Sequence, residues 1–60
     1  MKEKIAIEYL DSLDQWRQVS SGISNDSVSI NVAMQNVKRA HNSRVRAVGE
    51  NTENVYDMLM

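Results

Sequence analysis

The absence of cysteine from a chain of only 60 residues is the feature that most restricts how it can fold. A chain this short buries only about 60% of the surface that its unfolded form exposes, so a core made by one copy is marginally stable. Small folds usually add disulfides, a metal ion or a partner chain. Without cysteine, disulfides and thiolate zinc sites are excluded, and one histidine needs several converging carboxylates to hold a metal. We therefore expect self-association to supply the missing buried surface.

Glycine and proline are scarce, which favours uninterrupted helices. The chain has no proline and two glycines. The main break is a polar segment, residues 20–27, which contains Gly22. Gly22 can adopt the left-handed conformation that ends a helix, and residues 24–27 are all suitable N-caps for a following helix. This segment predicts a tight turn between two helices.

Apolar residues recur at three- and four-residue spacing on both sides of this turn, which is typical of amphipathic helices. Helix 1 is predicted over residues 2–19, the turn over 20–27 and helix 2 over 28–59. A break in helix 2 near residues 49–54 stays open, because glycine, asparagine and threonine are poor helix formers. The predicted fold class is all-α: a helical hairpin with a longer second helix, assembling into a multi-helix bundle.

Residues 27–32 also fit a different interpretation. They alternate serine or asparagine with β-branched residues, which is typical of a strand. A single strand has no evident partner in the chain unless residues 5–7 or a second copy pair with it. Helix is the prediction for this segment, with strand as the alternative.

An apolar seam on helix 2 and an apolar patch on helix 1 are interpreted as the interface with a second copy or another protein. The seam consists of Ile30, Met34, Val37, His41, Val45, Val48 and Val55, and the patch of Tyr9, Leu13 and Trp16. Tyr9 and Trp16 are also typical of core residues, and they anchor a partner if the hairpin leaves them exposed. His41 at the centre of this seam is interpreted as a partly buried, hydrogen-bonded residue. The alternative is a pH-sensitive layer between subunits, since histidine titrates near neutrality.

A basic segment lies inside an almost neutral chain. Residues 27–49 hold four cations and no carboxylate, while the whole chain has a net charge of −1. Lys38, Arg39 and Arg46 form a predicted polar strip that either is solvated or contacts an acidic protein or a nucleic acid. The acidic C-terminal residues and the lack of interleaved aromatic residues argue against nucleic acid.

These features predict a small non-enzymatic protein-interaction module: a regulator, an assembly chaperone or a structural subunit. No nucleophile and base occur at a catalytic spacing, and we expect no cofactor or metal. The expected partner is a second copy or another protein. A nucleic-acid-binding regulator using the basic face of helix 2 is the alternative. No apolar run approaches the ~18 residues of a membrane span, and we expect a cytoplasmic or virion-internal protein.

Overall fold

A four-stranded antiparallel sheet with one α-helix is the architecture of the computed structural model, which describes residues 2–59. Met1 and Met60, which the predicted domain of residues 1–60 includes, lie outside the described residues. The elements in chain order are β1 (Ile5–Leu10), β2 (Trp16–Ile23), α1 (Ser27–His41), β3 (Val45–Gly49) and β4 (Val55–Leu59). The strands are arranged in the order β2-β1-β3-β4.

The prediction of an all-α helical hairpin and bundle is therefore wrong. Residues 2–19 contain β1 and the start of β2, and the predicted turn at 20–27 contains the end of β2. Residues 28–59 contain most of α1 followed by two strands. Residues 49–54, where a break in helix 2 was left open, instead contain the turn between β3 and β4.

The start of the helix is the local feature that the sequence predicted correctly. Asp26 is the N-cap, and its Oδ1 accepts a hydrogen bond from the Ser29 amide at 2.8 Å. The strand alternative for residues 27–32 is wrong, because this cap and the apolar spacing beyond it belong to α1. At the other end, Asn42 adopts the left-handed conformation and its amide donates to the Lys38 carbonyl.

The helix connects two parallel strands across one face of the sheet. Both β2 and β3 are antiparallel to β1, so they run parallel to each other with β1 between them. A parallel pair needs a long crossover connection, and α1 is that connection. The helix therefore covers one face and leaves the other face without a layer above it.

The core lies between α1 and the covered face. Side chains of a strand alternate between faces, so Ile5 and Ile7 point towards the helix together with Val45 and Ala47 of β3. The helix contributes three residues spaced by four and three positions: Ile30, Met34 and Val37.

This core belongs to a single chain. Full burial of one aliphatic side chain contributes about 1.5–3 kcal/mol to the free energy of folding. The exposed surface is 4069 Å², close to the roughly 4000 Å² that size scaling gives for a folded monomer of this mass. Ile30, Met34, Val37 and Val45, which the sequence placed on a seam between copies, are inside this core.

Glu3 ties the N-terminal segment to the turn between β3 and β4. Its carboxylate accepts hydrogen bonds from the Asn51 amide at 2.9 Å, the Thr52 amide at 3.0 Å, the Thr52 hydroxyl at 2.7 Å and the Tyr56 hydroxyl at 2.6 Å. These bonds, that from Tyr56 above all, lower the pKa of Glu3 to about 2. A side chain at Gly49 would overlap this carboxylate. We call this cluster the Glu3 network.

Candidate interaction surface

The sheet has two outer strands, β2 and β4, and their outer edges differ. Pairing of β2 with β1 shifts register twice, between Ile5 and Ile7 and between Ile7 and Glu8. Such bulges twist an edge and impede the addition of another strand. The exposed residues of β2 are also mostly polar or small: Arg17, Gln18, Val19, Ser21 and Gly22. The β2 edge is thus poorly suited to strand addition.

The β4 strand carries apolar side chains that the fold leaves exposed. Val55, Tyr56 and Met58 retain 49%, 46% and 40% of their accessible surface. Asp57 is the one charged residue in this five-residue strand. We call Val55, Tyr56 and Met58 the β4 edge surface.

The backbone of Met58 points away from the sheet. The Leu10 amide donates to the Arg44 carbonyl, and the Glu50 amide donates to the Lys4 carbonyl. The even-numbered residues of the segment 44–50, which contains β3, therefore direct their backbone groups towards β1. The alternate residues Val45 and Ala47 direct theirs towards β4, where they oppose Leu59 and Asp57. Met58, between those two, faces outward. Its amide donates to Oδ1 of Asp57 at 2.8 Å, a local acceptor at an otherwise open edge.

A second apolar surface lies between α1 and the end of β2. Val28 and Val32 on the helix are 72% and 53% exposed. With Ile23 and Ala33 they line an open groove of about 480 Å³. Nothing in the described residues covers this groove.

The uncovered face of the sheet is closed by charged side chains. The Arg46 Nε donates to Glu8 Oε1 at 2.7 Å, and the Arg46 guanidinium lies 4.2 Å from the centre of the Trp16 ring. The Gly22 amide of β2 donates to the carboxylate of Glu50, which follows β3. Because β1 lies between β2 and β3, the Glu50 side chain reaches across β1. Ala6 and Val48 on this face are buried.

The structure does not bring the ten predicted interface residues onto one surface. Ile30, Met34, Val37, Val45 and Val48 are buried within the chain. The other five lie at separate places: Leu13 in the exposed turn between β1 and β2, Trp16 against Arg46, Val55 on β4, and Tyr9 and His41 together.

His41 packs on an aromatic ring at one end of the core. The rings of His41 and Tyr9 are stacked, with centroids 3.9 Å apart and planes 13° from parallel. The side chain of Ser43, beyond the helix, donates to the Leu10 carbonyl and holds this end of β1 against the chain that follows α1. His41 itself is exposed, so its interpretation as a partly buried residue is wrong, and its ring packs on Tyr9 of the same chain.

The three basic residues of the predicted strip are also separated. Lys38 and Arg39 lie in the last turn of α1, which packs on the covered face. Arg46 lies on the opposite face, paired with Glu8. A single basic surface formed by all three is absent.

Tyr56 and Met58 are not among the predicted interface residues. The available signal was the alternation of the last residues, since a strand over 55–59 turns Met58 to the face opposite Asp57 and Leu59. A helix interpretation hides that alternation. Tyr56 is the extra residue where the pairing of β3 and β4 shifts register, which no local sequence signal indicated.

Among residues 2–59, no group of three or more His, Asp or Glu side chains is placed to hold a metal ion. The helix in this part of the chain is not long and apolar enough to cross a membrane. No protein-family model, curated protein sequence or solved structure matches the chain significantly.

Proposed function

We propose that this chain is a small non-enzymatic protein-interaction module that works by self-association. The observation that carries the proposal is the β4 edge surface, where an unpaired strand edge and exposed apolar side chains coincide. Exposed, apolar edge strands are ready templates for another chain, and natural proteins usually protect them. The β2 edge has two register shifts and mostly polar exposed residues, whereas β4 has one register shift and apolar exposed residues, which supports β4 as the surface for a partner.

The engagement of the polar side chains supports a role without catalysis. The Glu3 network and the Asp26 cap hold turns and helix ends. Asp11 accepts hydrogen bonds from the Leu13 and Gln15 amides and from Arg17 Nε, and the bond from Arg17 contributes most to lowering its pKa. In this arrangement the three carboxylates stabilise turns and a helix end. A regulator, an assembly chaperone or a structural subunit needs only a binding surface.

Sedimentation equilibrium of the full chain over a wide concentration range tests the proposal. We expect the average mass to rise above that of a monomer, and the melting temperature to rise with concentration, because association stabilises the folded state by mass action. A monomer that persists to millimolar concentration, with a constant melting temperature, would refute self-association.

A salt titration with a labelled oligonucleotide examines the nucleic-acid alternative in the same preparation. Binding that falls about a thousandfold between 50 and 200 mM salt would indicate phosphate contacts. We expect no such binding, because Arg46 is already paired with Glu8 and lies on the face opposite Lys38 and Arg39.

A further inference from the structure

We infer that the partner surface is β4 itself: two copies pair their β4 strands antiparallel about a two-fold axis that passes between Met58 and its counterpart. This inference rests on the proposed self-association and specifies its geometry. The result is one eight-stranded sheet, in the order β2-β1-β3-β4-β4-β3-β1-β2. A two-fold axis perpendicular to the sheet keeps both helices on the same face.

The outward backbone of Met58 selects the position of the axis. In an antiparallel pair, two residues whose backbone groups face each other exchange both hydrogen bonds, with Cα atoms about 5.5 Å apart. Met58 directs its amide and carbonyl away from β3. Placed opposite itself it forms such a pair, and its amide exchanges the Asp57 side-chain acceptor for a carbonyl of the second copy.

Charge excludes the neighbouring register. An axis through Asp57 would place the two carboxylates directly opposite each other, and like charges in that position are destabilising. With the axis at Met58, each Asp57 opposes Leu59 of the other copy instead. The single charge of β4 therefore favours the alignment centred on Met58 over the one centred on Asp57.

Side-chain burial favours the same arrangement. The Met58 side chain is 40% exposed in one copy. In the dimer it would lie beside its counterpart on the uncovered face, next to Arg46, its partner in the pairing of β3 with β4. Methionine adapts well to such contacts because its side chain is flexible and polarizable. Each copy thereby covers the Met58 side chain of the other, as an isologous interface requires.

The interface is small. With the axis at Met58, residues 57–59 of the two copies lie opposite one another, so the buried area falls below about 1200 Å², the lower end for specific complexes. We therefore expect a reversible dimer with a dissociation constant of the order of micromolar or weaker.

Cross-linking through single cysteines tests the geometry, because the chain has no cysteine of its own. Met58→Cys should form an intermolecular disulfide under mild oxidation, since a 5.5 Å Cα separation suits the bond. Val28→Cys is the matched control: an exposed apolar residue on the other apolar surface, the α1–β2 groove. We expect Met58→Cys to cross-link more than about tenfold faster, because only its thiols are held within bonding range.

Met58→Lys gives an independent measurement without oxidation. Opposed lysines should weaken the dimer about tenfold or more in sedimentation, while the melting temperature of the dilute monomer stays unchanged. Val28→Lys should leave the dimer intact.

The outcomes separate the two proposals. If the unmodified chain dimerises but Val28→Cys cross-links at least as fast as Met58→Cys, or Met58→Lys leaves the dimer intact, β4 pairing is wrong and self-association stands. If the unmodified chain is monomeric at every concentration, both proposals fail.

Discussion

At three turns the backbone takes the left-handed conformation without glycine. Asp14, Asn42 and Glu53 have φ of 59°, 48° and 60°. Aspartate and asparagine tolerate this conformation better than most residues, because their short polar side chains bond to nearby backbone. The turns at these positions were therefore not predicted, because glycine was taken as the main sign of a turn. Gly22 does have a positive φ of 69°, as predicted, but it lies within β2 and ends no helix.

The Glu3 network predicts a defined dependence of stability on pH. The folded-state pKa of about 2 lies below the ordinary 4.5, so the carboxylate stabilises the fold above pH 4.5 and that contribution is lost as the pH falls towards 2. Glu3→Gln should lower the melting temperature at pH 7, and its difference from the unchanged chain should shrink towards pH 2. Thermal unfolding followed by circular dichroism measures both.

Glu53→Gln is the control for this change, because Glu53 is exposed in the same turn. It should have a small effect at both pH values. An equal loss from both substitutions, or a Glu3→Gln difference independent of pH, would contradict the assigned role of the Glu3 network.

At the scale of the elements, the ambiguity of a four-residue spacing explains why strands were read as helix. Ile5 and Tyr9 are four residues apart, which is about one helical turn and also two strand repeats. Ile7 distinguishes the two, since it joins Ile5 on the buried face only in a strand. The centre of the chain was predictable because Asp26 caps α1 and its spacing of four and three does not fit a strand.

The β3 and β4 strands were not predicted for the same reason, the ambiguous spacing of apolar residues. Val45 and Val48 continue the apolar spacing of α1, but Asn42 ends the helix, and only Val45 belongs to the core beneath α1 while Val48 faces the other side. Sheet order and register depend on pairing between distant residues, which one sequence does not specify. The candidate surface on β4 follows from those pairings, so it was predictable only in part, through Val55.

Met34 is the helical side chain that best measures the packing of α1 on the sheet. It is 1% exposed and lies in the core cluster with Ile5, Ile7 and Val45. Met34→Ala should destabilise the fold by about 2–5 kcal/mol, a large part of the stability of a domain this small. Urea unfolding followed by circular dichroism measures this loss.

Val32→Ala serves as the comparison, because Val32 lies on the exposed side of the same helix. We expect a change within roughly 0.5 kcal/mol, as is usual for surface positions. Similar losses for the two substitutions would mean that the helix packs through a different face.

At the scale of the whole molecule, the case for a partner rests on where apolar surface remains and not on a missing core. The chain buries its own cluster of aliphatic residues under α1, and its total exposed surface is ordinary for its size. The buried surface that the short length and the absence of cysteine suggested would be missing is therefore supplied within one copy. What remains is local: the apolar edge strand β4 at one side of the sheet and the groove between α1 and β2.

Amide hydrogen exchange, followed by NMR over a dilution series, examines both parts of this description in one measurement. Amides of β1 and β3, which are paired on both sides, should stay protected at every concentration, because each copy folds alone. The Met58 amide should become more protected as concentration rises and β4 pairs with β4. Loss of β1 protection on dilution would show that folding needs a partner, and a Met58 amide indifferent to concentration would contradict pairing through β4.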